Sequence, residues 1–149
     1  MKLDLTKMLF VAFLFAGCSN LKPLPSEYNL VRTFSNTARL YEYGKGKILI
    51  YNAAGLNHKI DDTARLNIWI NGKAVGQLQA NQYAVLFLMP DTYEIRVQHK
   101  DVKVFESAHT VKIENNTSVI SVKPTITSNK IEITNDIPEG FQRYKNMMD

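Results

Sequence analysis

Ala64-Arg65-Leu66-Asn67-Ile68-Trp69-Ile70-Asn71-Gly72-Lys73 decides the fold. Ala64, Leu66, Ile68 and Ile70 alternate with Arg65, Asn67 and Trp69, the period-two pattern of a strand with one buried face. Asn71-Gly72 follows at once. That pair suits a two-residue hairpin turn, whose central residues need positive φ, so residues 73–78 are expected to fold back on the strand before them.

Working outward, similar runs recur about every ten residues. Residues 47–51 (Lys-Ile-Leu-Ile-Tyr) form a short apolar run of the buried-strand kind, and residues 83–88 are apolar on both faces. Pro90-Asp91-Thr92 turns the chain, after which Tyr93, Ile95 and Val97 alternate with Glu94, Arg96 and Gln98. Further short strands are expected over 102–106, 110–113, 119–122 and 130–133, separated by Asn115-Asn116 and by residues 124–129. No long amphipathic helix interrupts them. The expectation is an all-β fold, an antiparallel β-sandwich of about seven to eight short strands over residues 47–134.

The two ends of the chain read differently. Lys2 and Lys7 give a charged start, residues 8–15 form an apolar run, and Ala16-Gly17 precede Cys18, the single cysteine of the 149 residues. A charged start, a short apolar core and small residues before a cut describe an export signal. The core is too short to span a bilayer as a helix. The arrangement resembles a bacterial lipoprotein signal, which implies removal of residues 1–17 and a diacylglycerol and an N-acyl chain on Cys18; Ser19 after it resembles the outer-membrane choice. Residues 18–46, with Pro23 and Pro25, read as a flexible lipidated tether in which residues 30–43 suit either a short helix or an edge segment. Residues 135–149 read as a C-terminal tail, compatible with two turns of helix over 141–148 and equally with a frayed end.

Composition limits the classes. The chain holds one domain's worth of residues beyond the signal, and with Cys18 acylated it has no thiol for a disulfide framework, so stability rests on packing. The formal charge of +4 is scattered, without a basic arm or patch, and no nucleic acid is expected as partner. The acyl chains anchor the protein, because multiple chains hold where a single one is marginal.

Residues 47–122 resemble a family of bacterial lipoproteins catalogued as domain of unknown function 2846. The likeness is carried by Ile48-Leu49-Ile50-Tyr51, by Asn71-Gly72-Lys73 with Val75-Gly76, by the Tyr83 strand, and by Met89-Pro90 leading to Tyr93. The family's Pro-Gly turn reads Pro90-Asp91 here, and Asn52 stands where a basic residue is expected. The resemblance implies a sandwich accessory domain and brings no catalytic residues with it.

Candidate chemistry is sparse. His99 and His109 fall in register with the apolar faces of their strands; as neighbours they would form a two-histidine pair, which without a third ligand makes a poor metal site. His58 stands near Asp61 and Asp62 in a polar loop that reads as solvated charge. No Gly-x-Ser-x-Gly elbow occurs and no serine has an evident histidine partner. Gly44-Lys45-Gly46-Lys47 lacks the spacing of a phosphate loop, and Asn115-Asn116-Thr117-Ser118 matches the glycosylation pattern but reads as a turn. Trp69 and Tyr51 either face outward together or cover a second sheet face.

The expected function is therefore a lipid-anchored envelope protein of the outer membrane, facing the periplasm, that acts as a binding or assembly module and not as an enzyme. Its partners would be the membrane, through Cys18, and an envelope protein. No metal and no cofactor beyond the acyl chains are expected. A ligand-binding lipoprotein would draw Trp69, Tyr83 and Tyr93 into one pocket. A small hydrolase or metalloenzyme would bring His58, His99 or His109 together with carboxylates or a serine.

Overall fold

The computed structural model describes residues 21–54 and 64–149. These form nine strands: β1 (Lys47–Asn52), β2 (Leu66–Ile70), β3 (Lys73–Leu78), β4 (Gln82–Phe87), β5 (Asp91–Lys100), β6 (Val104–Ile113), β7 (Val119–Pro124), β8 (Asn129–Ile133) and β9 (Lys145–Asn146). They make two sheets, ordered β8-β7-β1-β4-β9 and β3-β2-β5-β6. The fold is an all-β sandwich. Most pairings are antiparallel, but β1 runs parallel to β7 and β4 parallel to β9.

Between the sheets lie Ile48, Ile50, Leu66, Ile68, Ile70, Leu78, Leu86, Ile95, Val97 and Ile120, all fully buried. The hairpin that anchors the reading forms as its residues require. Asn71 and Gly72 take φ of 49° and 78°, and Leu66, Asn67 and Ile68 pair with Leu78, Gln77 and Gly76. Beyond Ile68 the register shifts: Trp69 pairs with Ala74, so Val75 is an extra residue in β3 and turns into the core.

One strand replaces two expected ones. Residues 104–113 run unbroken beside all of β5, from Lys100 opposite Val104 to Asp91 opposite Ile113. Ser107-Ala108-His109 lacks the apolar alternation that marks a strand, which is why the sequence divides there.

The ends of the chain correct the expected organisation. Residues 21–46 do not stand off as a tether. Leu21 is buried; Asn67 and Gln77 donate to the carbonyl of Lys22; Glu27 N–H donates to Ala74 O, and Ala74 N–H donates to the Glu27 carboxylate; and Val31 N–H donates to Val85 O at 2.7 Å. Only a 3-10 turn, Leu40–Glu42, interrupts this strap. Nor is the C-terminal segment frayed, since a 3-10 turn, Phe141–Arg143, leads into β9 on the edge of β4. The two segments form a third layer. Tyr43 and Phe141, with Val31, Ala38, Ile137 and Tyr144, cover Leu49, Tyr51, Tyr83, Val85 and Val119 on the outer face of the larger sheet. This explains why β1 and β4 are apolar on both faces: each has a core on either side.

Candidate functional site

A polar cluster joins the two sheets at one edge. Asn129 opens β8, His99 lies near the end of β5, and Ser107 and His109 sit two apart on β6. The period of two puts Ser107 and His109 on the same inward face. Asn129 Nδ2 donates to Val97 O and to Ser107 Oγ, each at 3.1 Å, while its Oδ1 lies 2.7 Å from His99 Nδ1. An amide with both hydrogens committed can only accept at Oδ1, so His99 Nδ1 carries the proton. Ser107 Oγ, accepting from Asn129, also shares a hydrogen bond with His109 Nε2 at 2.9 Å. His99 is fully buried and stacks on Phe105 with ring centroids 5.3 Å apart.

The two histidines thus share one network, though not as a metal pair: an amide and a hydroxyl stand between them. Among the described residues no group of three or more His, Cys, Asp or Glu side chains is placed to hold a metal ion. His58, Asp61 and Asp62 lie outside the described residues, as does Cys18. The Ser107–His109 pair is one the sequence reading missed. A spacing of two on a single strand would have revealed it, had residues 104–113 been read as continuous. A nucleophile and base in hydrogen-bond reach are the beginning of a hydrolytic site. Here, however, a hydrogen bond from Asn129 draws electron density from Ser107 Oγ and makes it a poorer nucleophile. The arrangement is suited to clamping β8 onto β5 and β6.

A second clamp lies at the same end of the sandwich. Asn52, 1% exposed at the end of β1, donates from Nδ2 to Ala64 O and Leu78 O and accepts from Ala54 N–H. One side chain thereby ties the larger sheet to the smaller.

Trp69, Tyr83 and Tyr93 do not converge. Trp69 is half-buried on the outer face of the smaller sheet, with the Arg96 guanidinium 4.4 Å from its ring. Tyr83 is fully buried in the outer layer of the larger sheet, packed 4.8 Å from the Phe141 ring, and donates to Thr33 O at 2.6 Å. Tyr93 packs against the central core and donates to Met89 O at 2.9 Å. The three occupy separate environments and do not line one pocket. Tyr51 belongs to the larger sheet and meets Tyr144 edge-on at 5.7 Å, covering the second sheet face instead of presenting a surface with Trp69.

Burial raises the pKa of Tyr83 above the ordinary 10.0, an effect partly offset by hydrogen bonding to Thr33. Tyr51 and Tyr144 are raised by burial in the same way. An open depression of about 380 Å³ lies at the opposite end of the sandwich, bordered by Pro90, Asp91 and the Lys112–Glu114 ion pair at 2.8 Å. Exposed to water, it has no buried polar group to orient a ligand. No protein-family model, no curated protein and no solved structure matches this chain.

Proposed function

We propose that the protein is a lipid-anchored envelope lipoprotein whose sandwich works as a non-catalytic binding or assembly module. Residues 1–17 would be removed and Cys18 would carry diacylglycerol on its sulfur and an acyl chain on its nitrogen, holding the module at the outer membrane on its periplasmic side. The observation that carries this reading is the packing of Leu21, three residues after Cys18, against a sandwich whose interior is filled by apolar side chains. A rigid body joined closely to an acyl anchor acts by position: it presents strand edges and turns to an envelope protein at a fixed place. The four stretches that resemble the lipoprotein family lie in β1, the β2–β3 turn, β4 and the turn into β5, which supports the same kind of module. The test is palmitate labelling and membrane fractionation of the full chain against Cys18→Ala. Label and membrane retention are expected in the wild type and lost in the variant. An unlabelled, soluble wild type would sink the reading.

The Ser107–His109 hydrogen bond favours a second reading, a small hydrolase. It requires Ser107 to react with a fluorophosphonate probe. No reaction is expected, because the oxygen is held by Asn129 on an inward face.

A further inference from the structure

We propose that the end of the sandwich bearing the β5–β6 and β7–β8 turns rests on an anionic lipid surface. There Val102 and Ile126 would insert among the headgroups while the surrounding lysines hold the phosphates. This rests on the reading that Cys18 is acylated.

Three observations describe the surface, and the first selects it. The first is the direction of the strap. Lys22 O is bonded to Asn67 and Gln77, Leu24 O lies against Gly76, and Glu27 meets Ala74. The chain therefore runs along β3 from its Leu78 end toward its Lys73 end. Followed backward, it reaches Leu21 at the end where Leu78 pairs with Leu66, Leu66 with His99, and His99 with Phe105. The turns at residues 101–103 and 125–128 lie at this same end, brought together by the His99–Asn129 hydrogen bond. Cys18 is three residues from Leu21, a reach of at most about 11 Å. The β5–β6 turn is two to three strand spacings from β3, about 10–14 Å. An acyl anchor at Cys18 would thus be tied within about 11 Å of Leu21, at the end that bears the two turns.

The second is exposure. Val102 is 95% exposed and Ile126 79%, each at the tip of its turn, with half-exposed Val104 beside the first.

The third is charge. Among the described residues, Lys103, Lys123 and Lys130 stand beside these tips, against Asp101 in the first turn. Lys123 and Lys130 are directly opposite across β7 and β8, an arrangement of like charges that destabilises a sheet in water. Glu132 relieves one of them through a 2.7 Å contact with Lys130. At the other end Lys45, Lys47, Lys73 and Lys112 stand against Asp91 and Glu114, and Phe87 and Met89 are exposed, so the direction of the strap, and not charge or exposure, selects the end. The cationic tips and the anchor share one end. Long lysine stems let ammonium groups reach phosphates while the aliphatic tips sit deeper, the arrangement of an interfacial contact.

The experiment uses the full-length acylated protein in vesicles of phosphatidylethanolamine and phosphatidylglycerol. An environment-sensitive fluorophore is attached in turn to Val102→Cys, Ile126→Cys, Asn71→Cys and Asn116→Cys, and quenched by nitroxide-bearing lipids. Quenching severalfold stronger at positions 102 and 126 than at 71 and 116 is expected, with the contrast reduced when phosphatidylcholine replaces phosphatidylglycerol. Uniform quenching, or stronger quenching at 71 and 116, on protein whose mass shows the acyl chains overturns the orientation alone. Protein that takes no acyl chain overturns the anchor reading and this orientation with it. All four positions are exposed and outside the core; Asn71→Cys gives up the Glu94 N–H bond to Asn71 Oδ1, so position 116 is the reference for the distal end.

Discussion

Asn129→Ala removes the one side chain that fastens β8 to the smaller sheet through three hydrogen bonds. His99 Nδ1, on a fully buried residue, is left unpaired, whereas Val97 O keeps its place in the sheet ladder and half-exposed Ser107 can turn to water. The unpaired nitrogen costs about 1–3 kcal/mol and each of the other two lost hydrogen bonds about 0.5–1.5 kcal/mol, so the expected loss is about 3 kcal/mol. That is a large part of the roughly 5–15 kcal/mol that holds a domain of this size together. Urea unfolding of residues 21–149, followed by the emission of Trp69, the chain's single tryptophan, reads it directly. With a slope of about 1.5 kcal/mol per molar, the midpoint falls by about 2 M. A companion variant tests the direction of the bonds. Asn129→Asp keeps an acceptor for His99 Nδ1 and deletes both donors, so it should lose stability as well, through Val97 O and Ser107 Oγ. An aspartate variant as stable as the wild type would show the amide to be turned the other way, and with it the proton on His99. A loss below about 0.5 kcal/mol in the alanine variant would refute the clamp itself, because a solvated network of that kind contributes little.

Phe141→Ala should cost about 3 kcal/mol, near the low end for a buried phenylalanine because the C-terminal segment can relax around the space. Denaturant unfolding measures it, and a loss under about 1 kcal/mol would mean that residues 141–149 do not belong to the folded unit. Stability should also fall at alkaline pH. Burial raises the pKa of Tyr51, Tyr83 and Tyr144 above 10.0, so the unfolded chain ionises first. Their contribution is complete below pH 10.0 and lost as the pH rises through the folded values. Unfolding midpoints that do not change between about pH 9 and about pH 11 would contradict this.

The strands were legible where a pleated surface imposes a period. Leu66, Ile68 and Ile70, the Asn71-Gly72 turn and the apolar run of β1 each carry a local signal that the tertiary structure keeps. The strap and the C-terminal segment carry none, because they cross the sandwich in irregular conformation and touch it at isolated points such as Leu21, Tyr28, Val31 and Phe141. Apolar residues with no period look like a linker. The polar clamp was hidden for a related reason: Ser107 and His109 occupy positions where a strand ordinarily shows its apolar face, so their chemistry erased the very pattern that would have located them. Asn129, 22 residues from Ser107, offered nothing by which sequence alone could bring the two together.

The latch between the two ends of the chain has a consequence for the order in which the molecule is made. Asn146 donates to Val31 O and Arg32 to Met148 O, bonds that join residues 115 and 116 positions apart. Such long-range closure slows folding, since much of the chain must be ordered before the contacts form. A chain delivered from its first residue onward can lay residues 21–28 along β3 once the β2–β3 hairpin is made, but residues 31–33 wait for residues 146–148. The strap would therefore close in two stages, first on the smaller sheet and then against the C-terminal segment.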